Sequence, residues 1–216
     1  EKDLCEQFQT SRITVRHSLK ILEEEKLVQR RQGSGTFVSA NPVHKVPLMT
    51  TDFSGSIETH APELVRRVES WQLTEASAEV VEALKLLPQT AIREAVRVDS
   101  LRDEAVATDR LYLVEGFSKD LVDSDLSDID FLTRWERAQG IVLDYCSQTI
   151  EAELITKPLA ALLGVQPGTA VLKETNIVYV SGGAPAGLFV THYRPDVFRF
   201  ESTVDYKARR RIARLA

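Results

Sequence analysis

Val15, Leu19 and Leu22 recur at i, i+4 and i+7, while Arg12, Arg16 and Lys20 recur at i, i+4 and i+8 on another side. The pattern predicts a helix with one anchoring stripe and one outward cationic stripe, opened by a hydroxyl cap at Thr10-Ser11. A short hairpin should follow. Leu27-Val28 starts a strand, Gln29-Arg30-Arg31-Gln32 is polar and basic, Gly33-Ser34-Gly35 turns, and Thr36-Phe37-Val38 returns. Guanidinium forks along a helix suit base edges and phosphates in a major groove. Arginines beside a small glycine tip suit phosphates and a minor groove. Each feature alone fits an ordinary amphipathic helix or surface hairpin; their order points to DNA.

The pattern then changes. SANPVHKVPLMT, with two prolines and Asn41, reads as extended chain, and residues 41–50 are taken as a linker. Leu64 to Leu73 predicts a strand carrying Trp71, and Glu75 to Leu87 a helix. An internal repeat follows: LKLLPQTAI at 84–92 matches LGVQPGTAV at 163–171 in Leu, Pro, Thr and Ala. Each copy precedes an alternating stretch that breaks at a turn (Arg102-Asp103-Glu104; Ser181-Gly182-Gly183) and returns through a strand holding Tyr112 or Tyr193. Between the copies, Ser127 to Gln139 predicts a helix ended by Gly140, and Leu143 to Thr156 a strand. Helix, turn and hairpin, twice over, predict an α+β domain with an antiparallel sheet and a pseudo-twofold repeat.

Composition changes this little. The 216 residues are 43% hydrophobic and 27% charged, enough for one full domain and a small module. No apolar run could span a bilayer. Cys5 and Cys146 sit far apart without CxxC or His-rich neighbours, so neither a metal site nor a disulfide framework is expected, and a reducing cytoplasm fits. The net charge of -5 divides unevenly: residues 1–40 carry seven basic against six acidic residues. Placement matters more than net charge for steering to phosphate. The basic cluster from Lys207 to Arg214 reads as a solvated tail, residues 205–216. His17, His44, His60 and His192 are scattered, and no catalytic residues, metal ligands or cofactor are assigned.

The opening segment resembles the winged helix-turn-helix of the GntR family of bacterial transcription regulators, through Leu4, Phe8, Ser11-Arg12, Thr14-Val15-Arg16, Leu19, Leu22, Leu27-Val28, Arg31, Gly33 and Gly35-Thr36-Phe37-Val38. The resemblance covers residues 1–40 and implies DNA contacts from Ser11, Arg12, Thr14, Arg16, Arg31, Gln32, Gly33 and Gly35. Gln9 stands where the family has a turn glycine, and the chain opens inside the family's second helix, so a fragment of a longer chain is expected.

Residues 51–204 resemble the UTRA effector-binding domain of the HutC-type branch, similar in fold to chorismate lyase. The carriers are Trp71, Ala78-Glu79, Arg97, Asp109 with Tyr112, Ser147 to Ala152, Leu162 to Val165 with Gly168, and Tyr193-Arg194-Pro195-Asp196-Val197-Phe198-Arg199-Phe200. What this implies is a small-molecule cleft holding Phe53, Ser54, Gly55, Ser56, Arg97, Asp109, Ser147 and Tyr193, with Arg97 meeting an anionic group of the effector. The plainer alternative for Arg97 is a strand residue paired with Asp99. Asp99 and Gly187 replace a second arginine and a second acid of sugar-phosphate-responsive members, so the pocket should be less polar, with Phe189 and Val190 leaving room for an apolar or aromatic ligand. The implied protein is a ligand-responsive repressor, a homodimer on a palindromic DNA operator, acting in the cytoplasm on the nucleoid. Competing readings are a lyase-like enzyme with a DNA-binding module and a DNA-binding protein without an effector. Fold similarity alone does not carry activity.

Overall fold

The structure, a computed structural model, describes residues 1–24, 28–31, 35–38, 44–47 and 63–201. Two units divide the chain, Glu1–His44 and Lys45–Ala216. Phe53–Ser56, Gln32, Gly33, most of the linker and the basic tail lie outside the described residues.

In the first unit, α1 (Lys2–Gln7) and α2 (Arg12–Glu24) precede the strands β1 (Val28–Arg31) and β2 (Gly35–Val38). Gln9 takes a left-handed φ of 48° between the helices, the conformation a glycine adopts without cost. The Ser11 hydroxyl accepts from the Thr14 amide at 3.2 Å and so caps α2. Val15 is buried, with Leu19 and Leu22 half-buried on its side. β1 and β2 pair antiparallel from Val28↔Val38 to Arg31↔Gly35.

The second unit is built on a six-stranded antiparallel sheet. Its strands are β4 (Val65–Glu75), β5 (Ala91–Leu101), β6 (Glu104–Val114), β7 (Leu143–Leu154), β8 (Ala170–Val180) and β9 (Pro185–Tyr193). Their order, β4-β5-β6-β9-β8-β7, is that of two like halves meeting at β6 and β9. A separate pair joins β3 (His44–Pro47) to β10 (Phe198–Glu201).

Duplication is legible in backbone detail. The short helices α3 (Ala78–Ala83) and α6 (Lys157–Leu163) occupy equivalent places. One residue into each repeat, Lys85 and Gly164 are left-handed; five in, Gln89 and Gly168 are too. Thr90 and Thr169 then donate their hydroxyls to the carbonyls of Leu87 and Gln166, at 2.6 and 2.7 Å.

Two helices are shorter than their periodicity predicts. Glu75 and Ala91 pair across the sheet, so the first begins only after the Ser77 cap, and it stops where Lys85 turns left-handed. The stretch from Ser127 is not helical: Asp128 accepts the Asp130 amide at 2.8 Å, a local bond that competes with a helical turn. Helix α4 (Asp123–Leu126) lies before that break, and α5 (Phe131–Gln139) after it, ended by left-handed Gly140.

One sheet face carries the cluster of Leu111, Leu113, Phe131, Trp135, Val178 and Phe189, with α5 laid over it. The other carries Val80, Leu84, Ile92 and Leu188 beneath α3. Gly187 is where these aromatics need room: a Cβ there would sit 2.8 Å from Leu113 and 3.0 Å from Trp135. Trp135 also donates its indole N–H to the Phe117 carbonyl.

Candidate functional site

Within the first unit, Arg12, Arg16 and Lys20 are exposed on α2. Arg16 reaches toward the hairpin. Its Nε donates to one Glu1 carboxylate oxygen at 2.9 Å, and Arg30 of β1 donates to the other at 2.9 Å. The two guanidiniums hold the Glu1 carboxyl below its usual range, the hydrogen bond from Arg16 first and the charges of Arg16 and Arg30 after it. Two cations converging on one carboxylate can equally converge on a phosphate. The groove between helix and hairpin is lined by Arg16, Leu19, Lys20, Glu23, Arg30 and Thr36. Thr14 shares a 2.9 Å hydrogen bond with Ser11, so the two hydroxyls brace each other at the exposed start of the helix. Gly35 has a φ of +117°, a conformation side chains resist, so its role is first conformational. Arg31 pairs with Gly35 in the strand register.

The second unit holds a buried polar layer. Side chains directly opposite in antiparallel strands share a face. The row Val68–Arg97–Asp109–Thr191–Glu174–Ile150 therefore lies on one face, beside the row Arg66–Asp99–Ala107–Tyr193–Leu172–Ala152. Arg97, Asp109, Tyr193 and Glu174 are only 2%, 4%, 3% and 6% exposed.

Their bonds are specific. Arg66 forks both oxygens of Asp99 at 2.8 Å. Arg97 donates from Nε and Nη2 to one oxygen of Asp109, and from Nη1 to the Leu126 carbonyl at 3.2 Å. Thr191 donates to the other Asp109 oxygen at 3.4 Å. Tyr193 donates to one Glu174 oxygen at 2.7 Å, and the Gln148 amide donates to the other. Arg97 also lies over the rings of Phe131, at 4.9 Å, and Phe189, at 6.0 Å.

Electrostatics follow from burial. Burial opposes the charge on Arg66, but Asp99 outweighs it and raises the pKa. Burial and then the repulsion of Arg66 leave Arg97 below the usual arginine range despite Asp109. Tyr193 is raised well above a free phenol by burial and by Glu174, so it stays a donor. Cys146, at the open end of the same face, has its thiol pushed up to about 11 by burial and by Glu174, which leaves it a poor nucleophile at neutral pH.

The sheet thus brings Arg97, Asp109 and Tyr193 together on one face. Three expectations need correction. Ser147 pairs with Ile177, which packs on the opposite face, so Gln148 and not Ser147 reaches the layer. Val190 likewise packs on the opposite face, and the space beside Phe189 is filled by Phe131 and Trp135. Asp99 pairs with Arg66, not Arg97, and the fork of Arg97, expected to meet an anion, is closed by Asp109. Arg66 and Glu174 escaped the sequence reading, and Gln148 stood there only within the Ser147 to Ala152 stretch, with no site role. Period-2 alternation from Asp109 could have marked a face on each strand, but which strands adjoin was not in the sequence. Among the described residues, no three His, Cys, Asp or Glu side chains form a metal-ligand group, and no helix is long and apolar enough to cross a membrane.

Comparison with known proteins agrees with this layout. The family of bacterial regulatory proteins named gntR matches residues 1–38, and the UTRA domain matches residues 63–199. The chain is 26% identical over 205 residues to the HTH-type transcriptional repressor NagR of Bacillus subtilis, covering 95% of this chain and 84% of that protein. It is 24% identical over 209 residues to MngR of Escherichia coli, repressor of a mannosyl-D-glycerate transport and metabolism system, covering 96% of this chain and 82% of that protein. Among solved structures, PhnF from Mycobacterium smegmatis shares the fold with a TM-score of 0.71 at 22% identity, covering 95% of this chain and 90% of that one.

Proposed function

The chain belongs to the UTRA-carrying branch of the GntR family of bacterial transcription regulators, and from that premise we propose how its two units work together. It is a DNA-binding, ligand-responsive regulator, and the relatives it matches are regulators, not enzymes. The observation that carries the DNA reading is the division of α2 into a buried stripe at Val15 and an exposed cationic stripe at Arg12, Arg16 and Lys20, with Arg30 of the hairpin joining Arg16 on one carboxylate.

In this reading the regulator is a repressor, working in the cytoplasm as a homodimer. Each α2 enters a major groove of a palindromic operator, the half-sites one helical turn or a multiple apart. Ser11, Arg12, Thr14 and Arg16 contact DNA from the helix, and Arg31, Gln32, Gly33 and Gly35 from the wing. The effector occupies the polar face of the UTRA sheet beside Asp109, Glu174 and Tyr193, and Phe53, Ser54, Gly55 and Ser56 are its further contacts in this reading.

A route for coupling is supported by the second unit. Tyr193 packs edge-on against Phe198 and Phe200 of β10, each at 5.3 Å. β10 is bonded to β3, the strand at the boundary of the two units. A ligand that shifts Tyr193 would therefore press on the strand from which the DNA-binding unit is hung. Selection of duplexes from a random-sequence library by the full chain tests the DNA reading. The expected product is an inverted repeat whose enrichment is lost in Arg12→Ala and Arg16→Ala. A pool indistinguishable from random after repeated rounds would overturn it.

A further inference from the structure

We infer that the effector presents a cationic nitrogen, an ammonium or amidinium, to the carboxylate of Glu174. This inference rests on the regulator reading above and deepens it by assigning the charge of the ligand.

Among the described residues, the charges of this hydrogen-bonded network do not balance. Two guanidiniums, Arg66 and Arg97, meet three carboxylates, Asp99, Asp109 and Glu174. Each guanidinium is already committed, Arg66 to both oxygens of Asp99 and Arg97 to Asp109 and the Leu126 carbonyl. Among the described residues, Glu174 is left with a phenol and an amide, both neutral donors. A carboxylate kept from water without a counter-charge is the costly case, and it is relieved by a cation that enters with the ligand.

An anion faces the opposite situation. To use Arg97 it would have to displace Asp109, stranding that buried carboxylate with the Thr191 hydroxyl alone. To use Arg66 it would break a two-point fork to Asp99. Arg93 lies on the same face, but the row Ala95–Leu111–Phe189 separates it from this network, and it rests over Trp71 at 5.6 Å. Among the described residues, the approach to Glu174 is also the open side of the face. Cys146 and Ala152 of β7 are exposed, and Gln148 and Ile150 half-exposed, whereas Phe131 and Trp135 cover the strands toward β5. Gln148 and Tyr193 hold the two Glu174 oxygens in fixed directions, which suits a nitrogen with several N–H donors.

The test is thermal denaturation of the full chain with two matched sets of small probes. One set is agmatine, putrescine, histamine and glucosamine; the other is glucose 6-phosphate, citrate and inorganic phosphate. A cation-selective site gives a rise of roughly 5–10 °C for at least one amine at a hundredfold excess over its Kd, and no rise for the anions. The same amine should bind Glu174→Gln at least tenfold more weakly, while that variant keeps its melting temperature without ligand within a few degrees. Stabilisation by an anion that persists in Glu174→Gln overturns the assignment, as does an amine response equal in both proteins, or none. If an anion both stabilises the protein and shifts its affinity for a selected operator, only the cationic assignment falls. If no probe of either charge stabilises the protein and the small-molecule fraction of cells leaves operator affinity unchanged, the effector reading falls with it.

Discussion

Replacing Asp109 by alanine is the sharpest single perturbation of the polar layer. Arg97 is 2% exposed, and in the variant it would keep only the Leu126 carbonyl and the faces of Phe131 and Phe189. Those contacts exist before and after the change, so they offset little. Breaking one side of a buried ion pair costs about 3–5 kcal/mol, because the remaining charge is stranded. For a domain of this size that is a fall of roughly 6–20 °C in Tm. The double replacement Arg97→Met with Asp109→Leu removes both charges and should return stability to within about 1 kcal/mol of the parent, or above it. Urea titration followed by tryptophan fluorescence reads both, since Trp135 stacks on Phe131, which in turn carries Arg97. A loss below about 1 kcal/mol for Asp109→Ala would refute the reasoning, as would a double variant worse than the single one. The same logic makes Arg97→Ala a poor probe of ligand binding: it strands Asp109 and unsettles the fold.

Other outcomes follow from the same geometry. Gly187→Ala should lose about 1–3 kcal/mol in urea titration, because the added methyl meets Leu113 and Trp135, both fully buried and unable to give way. His192 has its pKa lowered by burial, against the pull of Glu153 and with Lys173 and Arg110 adding to the depression. The unfolded state then binds the proton more readily, so His192 subtracts stability as pH falls below about 6.5, and His192→Gln should flatten that part of the profile. In the first unit, Arg16→Ala should cost about 1–3 kcal/mol of operator binding by anisotropy titration with the fold intact. Glu1→Gln should tighten non-specific DNA binding and steepen its salt dependence by about one unit of slope, since Glu1 now neutralises Arg16 and Arg30. An unchanged slope would mean that those arginines do not meet phosphate.

Local signals in the sequence read well wherever one element sufficed. The cap at Ser11, the stripe through Val15 and the turns at Arg102-Asp103 and Gly182-Gly183 depend on neighbours a few residues away. The repeat was legible because each copy needs the same two left-handed residues and the same threonine bond. What escaped depends on register across the sheet. One residue's offset puts Gln148 and not Ser147 on the polar face, a distinction no single strand reveals. Partner choice was hidden for the same reason. Arg97 and Asp99 share a strand and a face, yet each finds its counter-charge on a neighbouring strand, Asp109 on β6 and Arg66 on β4. The missing acid at Gly187 was read as lost polarity, and the structure shows what takes its place: Trp135 and Leu113 close over the backbone there.

The central claim, that the polar face of the UTRA domain gates DNA binding, is tested most directly by one affinity comparison. Operator Kd is measured for the parent chain and for Glu174→Gln, each without and with the small-molecule fraction of cells. A coupling of about 1–3 kcal/mol predicts that the fraction shifts the parent's Kd by roughly 5–150-fold. Glu174→Gln should match the parent without the fraction and change less than twofold with it. A variant that responds like the parent, or a parent whose operator affinity ignores the fraction, would contradict the account.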